Sequence, residues 1–162
     1  PETEGPDKPY FSGSTDIDVA ARRVNTAQVT AHVAKSQTFV RITEAFAKFY
    51  HDAEFTVTTG SGNEFTFRPD GTGDPERIWV KTGTTLTVSG TARSQSQDGE
   101  KEGPLYTFPA ETLDATVAAT CHIFTFDASN AGSASLNIVL GEGEGETRVI
   151  PVELNEEAIP SK

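Results

Sequence analysis

The chain has 162 residues, a formal net charge of −11 and a pI near 4.6. That balance argues against a nucleic-acid binder, which carries a basic stripe, and against docking on anionic lipid headgroups. Cys121 is the single cysteine, so no internal disulfide forms, and ten Phe supply the apolar bulk for one core.

In chain order, residues 1–12 open with "PETEGPDKP", rich in Pro and acids, and read as a solvated N-terminal tether. A single domain is expected over 13–155, and "EEAIPSK" at 156–162 reads as a tail. "DIDVA" sets Ile17 and Val19 on one face, and "AQVTAHVA" alternates Ala27, Val29, Ala31 and Val33, so both are expected as strands.

A short helix is predicted near residues 43–52. Phe46, Phe49 and Tyr50 fall on one helical face, and Thr43 suits the N-cap with Glu44 in the first turn. "EFTVTTGSGNEFTF" at 54–67 then predicts a hairpin. Phe55 faces Phe67, Val57 faces Phe65, and Gly60-Ser61-Gly62 forms the loop, with Gly62 in the left-handed position. A phosphate-binding loop would need a helix after these glycines, and a strand follows instead.

"TLTVSGTA", "CHIFTFDA", "SASLNIVL" and "VIPVEL" continue the period of two. They group Leu86 with Val88, His122 with Phe124 and Phe126, Leu136 with Ile138 and Leu140, and Ile150 with Val152 and Leu154. "SQSQDGEKEGP" at 94–104 and "GEGEGE" at 141–146 read as solvated connections. The expected fold is a mainly β, antiparallel sandwich, Ig-like or transthyretin-like, of about seven to nine strands plus the helix.

Candidate sites are few. Cys121 and His122 are neighbours on a strand, point to opposite faces and cannot form a dyad, so Cys121 reads as an inert core cysteine. His32, His51 and His122 lack zinc spacing. No nucleophile elbow or phosphate-loop motif occurs, and no spacing singles out a carboxylate pair. Calcium is the one cofactor with a sequence hint: "RPDGTGDPE" alternates Asp70, Thr72, Asp74 and Glu76, with ordinary turn chemistry as the competing reading.

In "RIWVK", Trp79 points away from the Ile78/Val80 face. It is either a platform for a sugar ring, with Tyr106 as the alternative aromatic for that role, or a cap on the core's edge.

The phrases "PERIWVKTGTTLTVSGTA", "YTFPAETLDATVAATCHIFTFDAS" and "ASLNIVLGEGEGETRVIPVELN" resemble the β-sandwich domains of Bacteroidetes cell-envelope lipoproteins, fimbrillin-like proteins among them. The resemblance covers roughly residues 54 to 155. It implies export to the outer-membrane surface or periplasm, and a lipid anchor ahead of Pro1 as the only membrane contact. It also implies an adhesive or structural role without catalytic residues. The expected partner is a glycan or another protein, and the alternative function is a carbohydrate-binding module using Trp79. An assembly subunit would instead offer a strand edge or groove to its neighbour.

Overall fold

A computed structural model describes residues 3–73, 75–95, 103–130, 132–140 and 146–154. The expected segments at 96–102, 141–145 and 155–162 lie outside the described residues, as does Asp74. The chain forms a β-sandwich. One sheet has the order β11(Glu146–Ile150), β10(Ala134–Leu140), β9(Cys121–Asp127), β3(Ser36–Ile42), β6(Ile78–Val80). The other runs β12(Glu153–Leu154), β8(Leu105–Leu113), β7(Leu86–Ser94), β4(Tyr50–Thr59), β5(Glu64–Phe67).

Two details differ from the expected sandwich. Among the described residues each large sheet has five strands, ten against the seven to nine expected. The β3–β9 pair is parallel, Gln37 to Ile42 against Cys121 to Phe126. Parallel pairing needs a long crossover, and the chain supplies it by visiting the second sheet between these two strands.

Helix α1(Glu44–Phe49) makes that crossing. Thr43 Oγ1 accepts from the Phe46 N–H and itself donates to Asp127 Oδ1, so the cap also ties the helix to β9. The helix ends sooner than expected because Tyr50 adopts extended backbone and starts β4. Phe46 is fully buried and packs on Tyr50, Phe55, Phe108 and Phe126. Phe55 of one sheet stacks on Phe126 of the other, centroids 4.0 Å apart. Such ring pairs contribute about 0.5–1.5 kcal/mol beyond their buried area.

The hairpin has the predicted register: Phe55↔Phe67 and Val57↔Phe65. Thr59 N–H donates to the Asn63 carbonyl and Gly62 has φ 87, as a left-handed third loop residue requires. The strands at 86–94, 121–127 and 134–140 also bury the expected faces, with Leu140 turned out to solvent at its strand end.

The N-terminal quarter departs from expectation in two ways. "DIDVA" and most of "AQVTAHVA" are not strands. Only β1(Phe11–Ser12) and β2(His32–Val33) pair, Phe11↔Val33 and Ser12↔His32, at the base of an excursion whose residues 6–32 are all exposed. Alternation alone makes a strand only where a partner edge and a core face exist, and here neither large sheet takes the segment up. The second departure lies at Thr3–Gly5. These residues do not run free as a tether: Glu4 and Gly5 are buried against the sandwich.

Candidate functional site

Two features combine geometry with polar chemistry. The first is a groove of about 550 Å³ beside the helix, where β4 bulges between His51 and Glu54. Asp52 stands in the bulge with φ 50, a left-handed conformation that a non-glycine residue holds only when its surroundings enforce it. Ile42, Ala47 and Pro69 give the groove an apolar part, and Asp52, Glu54, Arg68 and Asp70 a charged part.

The charged groups are mostly engaged with one another. His51 Nδ1 lies 2.9 Å from Asp52 Oδ2, and Arg68 Nη2 2.9 Å from Glu54 Oε2. Asp70 Oδ1 accepts from the Thr72 N–H at 2.8 Å and the Thr72 hydroxyl at 2.7 Å, and these bonds hold its carboxyl below the usual range. Exposed pairs of this kind contribute little to stability, about 0–1 kcal/mol.

The second feature is a slot at the side where β5 and β6 form the edges of the two sheets. Glu4 fills it. One carboxylate oxygen accepts from the Thr59 hydroxyl and the Asn63 amide, each at 2.7 Å, and the other accepts from the Lys81 N–H at 3.0 Å. Thr59 and Asn63 belong to the β4–β5 hairpin, whereas Lys81 follows β6, so one side chain staples both sheets. Burial alone would raise the Glu4 pKa. The bonds from Lys81, Asn63 and Thr59 outweigh it and hold the carboxyl below its ordinary value.

Backbone and a cation complete the slot. Gly5 and Trp79 exchange two N–H···O bonds of 2.9 Å, one rung of antiparallel sheet. The Lys35 ammonium, 4% exposed, donates to the carbonyls of Thr3 and Lys8. Burial lowers the Lys35 pKa, and the nearby Glu4 charge offsets part of that.

The residues singled out from the sequence do not converge. Trp79 is partly buried on edge strand β6, outside the core cluster, with Ile78 and Val80 buried on the opposite face. Tyr106 belongs to the other sheet. It packs against the core, edge-on to Tyr50 with centroids 5.7 Å apart, and shares no platform with Trp79. Asp70 closes its own turn on Thr72, Glu76 is exposed, and Asp74 lies outside the described residues. Among the described residues, no group of three or more His, Cys, Asp or Glu is placed to hold a metal.

Cys121 is partly buried, and desolvation raises its thiol pKa although Arg77 draws it back in part. His122 is fully buried and structural: Nδ1–H donates to the Gln37 carbonyl, and Nε2 accepts from the Val117 N–H. The slot had no signature in the sequence. Glu4 sits in a Pro-rich acidic run that looks solvated, and its donors lie more than fifty residues away in the chain.

A family model described as a domain of unknown function, DUF4493, matches residues 1–156. The chain belongs to the DUF4493 family. The match takes in Thr3–Gly5 as well as both sheets, so the slot and the segment that fills it lie within one DUF4493 domain. No curated protein and no solved structure matches this DUF4493 chain.

Proposed function

We propose that this domain is a non-enzymatic assembly or adhesion module of the cell envelope, acting by contact with protein partners. One observation carries the reading. Residues 6–32 form an entirely exposed arm, in which Ile17, Val19, Val24 and Val29 are 52%, 83%, 96% and 54% exposed. Isolated exposed apolar residues are ordinary. A run of them on one long excursion marks a surface that a partner covers. Fully burying an exposed side chain of this kind contributes up to about 1.5–3 kcal/mol, less at the half-covered Ile17 and Val29, and the cost of ordering the arm is set against that gain. The envelope location, outer-membrane surface or periplasm, rests on the sequence resemblance to Bacteroidetes lipoproteins. The engaged charges of the groove and the opposed faces of Cys121 and His122 support the non-enzymatic part.

Sedimentation velocity over a concentration series tests this. The expected result is a mass that rises with concentration, and that rise is abolished by Val19→Asp with Val24→Asp while the circular dichroism is unchanged. A single monomeric species at every concentration would overturn the self-assembly form of this reading. A glycan-binding module is the second reading, supported by the way Trp79 faces away from the core. Trp79 fluorescence readily quenched by iodide, together with glycan-array binding lost in Trp79→Ala, is its expected signature.

A further inference from the structure

The slot at Thr3–Gly5 has the properties of a recognition site. It reads an extended segment in three ways: a carboxylate held by Thr59, Asn63 and the Lys81 N–H, a backbone rung on Trp79, and carbonyls gripped by Lys35. These are the elements of strand addition, in which main-chain bonds give affinity and one side-chain site gives selectivity. The exposed arm joins the segment in the slot to the sandwich, which it re-enters at Ala34, where the Ala34 N–H donates to the Tyr10 carbonyl.

We infer that this slot is a binding site for an extended acidic-glycine segment, and that the segment can be supplied by a second copy of this chain. In that exchange the contacts of residues 3–12, the Lys8 carbonyl on Lys35 and the Phe11↔Val33 pairing included, are remade identically on the neighbour, and only the path of residues 13–31 changes. Swapping of this kind is a low-cost route to association because the contacts made and lost are the same. The arm is suited to the connection. Its charges, Asp16 and Asp18 against Arg22 and Arg23, cancel within a chain of net charge −11, so the part that passes between copies adds no repulsion. Its exposed apolar residues then lie between the two bodies. The choice of a second copy as donor rests on the assembly reading above; the slot's selectivity does not.

The test uses full-length chains. Glu4→Ala combined with Gly5→Pro disables the chain's own segment, by removing the carboxylate and the Gly5 N–H, and leaves the slot intact. Glu4→Ala alone serves if the double variant does not fold. A labelled peptide TEGPDKP, residues 3–9, is expected to bind this open-slot variant saturably. The same peptide with Ala in place of Glu should bind at least about ten-fold more weakly. A second variant, Thr59→Val with Asn63→Ala, keeps the segment and disables the slot. Mixed with the open-slot variant, each carrying one fluorophore, it is expected to give energy transfer that neither variant gives with itself.

A folded open-slot variant that ignores the peptide overturns the proposal, and so does peptide binding without energy transfer in the mixture. Wild-type self-association that persists in that case leaves the assembly reading standing while the slot proposal falls. Peptide binding and energy transfer beside a wild type that stays monomeric at all concentrations support the exchange site and remove the self-assembly reading.

Discussion

At the scale of single residues, two buried ionisable groups set the acid limit of the fold. His122 is neutral in the core, its pKa lowered by burial and only partly restored by bonds to the Gln37 and Thr120 backbone. Glu4 is ionised in its slot, with a pKa below its ordinary value. Both folded pKa values are depressed, so each group's contribution is complete above its unfolded pKa and is lost as pH falls toward the folded one. The His122 contribution therefore begins to fade below pH 6.5 and that of Glu4 below pH 4.5. Thermal melts from about pH 8 down to about pH 2 are expected to show a fall in two stages. His122→Phe should erase the upper stage and cost about 1–3 kcal/mol at neutral pH, because the Val117 N–H loses its acceptor. Glu4→Gln should erase the lower stage.

At the scale of elements, packing against β4 is tight enough to test with one methyl group. A Cβ on Gly90 would lie 2.3 Å from Phe55 Cδ1 and 2.5 Å from the Glu54 carbonyl oxygen, so Phe55 and the strand itself would have to move. Gly90→Ala is expected to cost about 1–3 kcal/mol in chemical denaturation. The arm gives the opposite expectation. Arg22, at a turn with φ 62, and Arg23 stand in the exposed stretch, so among the described residues limited trypsin should cut there first. The released N-terminal piece should stay attached near neutral pH through the Glu4 and Lys35 bonds, and separate in acid.

The elements also show what was legible beforehand. The helix cap at Thr43, the Gly60–Gly62 loop and the buried faces at Leu86, Phe124 and Leu136 were readable because each follows from local chemistry or a period of two. The same period misled at Ile17 and Val29, where no sheet edge receives the segment. The slot was invisible because its selectivity is made of contacts distant in sequence, Glu4 with Thr59, Asn63 and Lys81. The placement of the two aromatic leads was likewise not legible: Trp79 lies on β6 of one sheet and Tyr106 on β8 of the other, a separation that only topology sets.

At the scale of the whole molecule, a chain of net charge −11 repels its own copies, and the arm is the part that does not. Association should therefore strengthen as salt screens the bodies, and weaken when charge is added to the arm. Contact with a partner copy is proposed to cover residues 13–31. Hydrogen exchange of the arm amides, followed from low to high protein concentration, tests it most directly. These amides are expected to exchange freely in dilute solution and to become protected as concentration rises, with the core strands unchanged. Exchange of the arm at the same fast rate across the whole concentration range would contradict it.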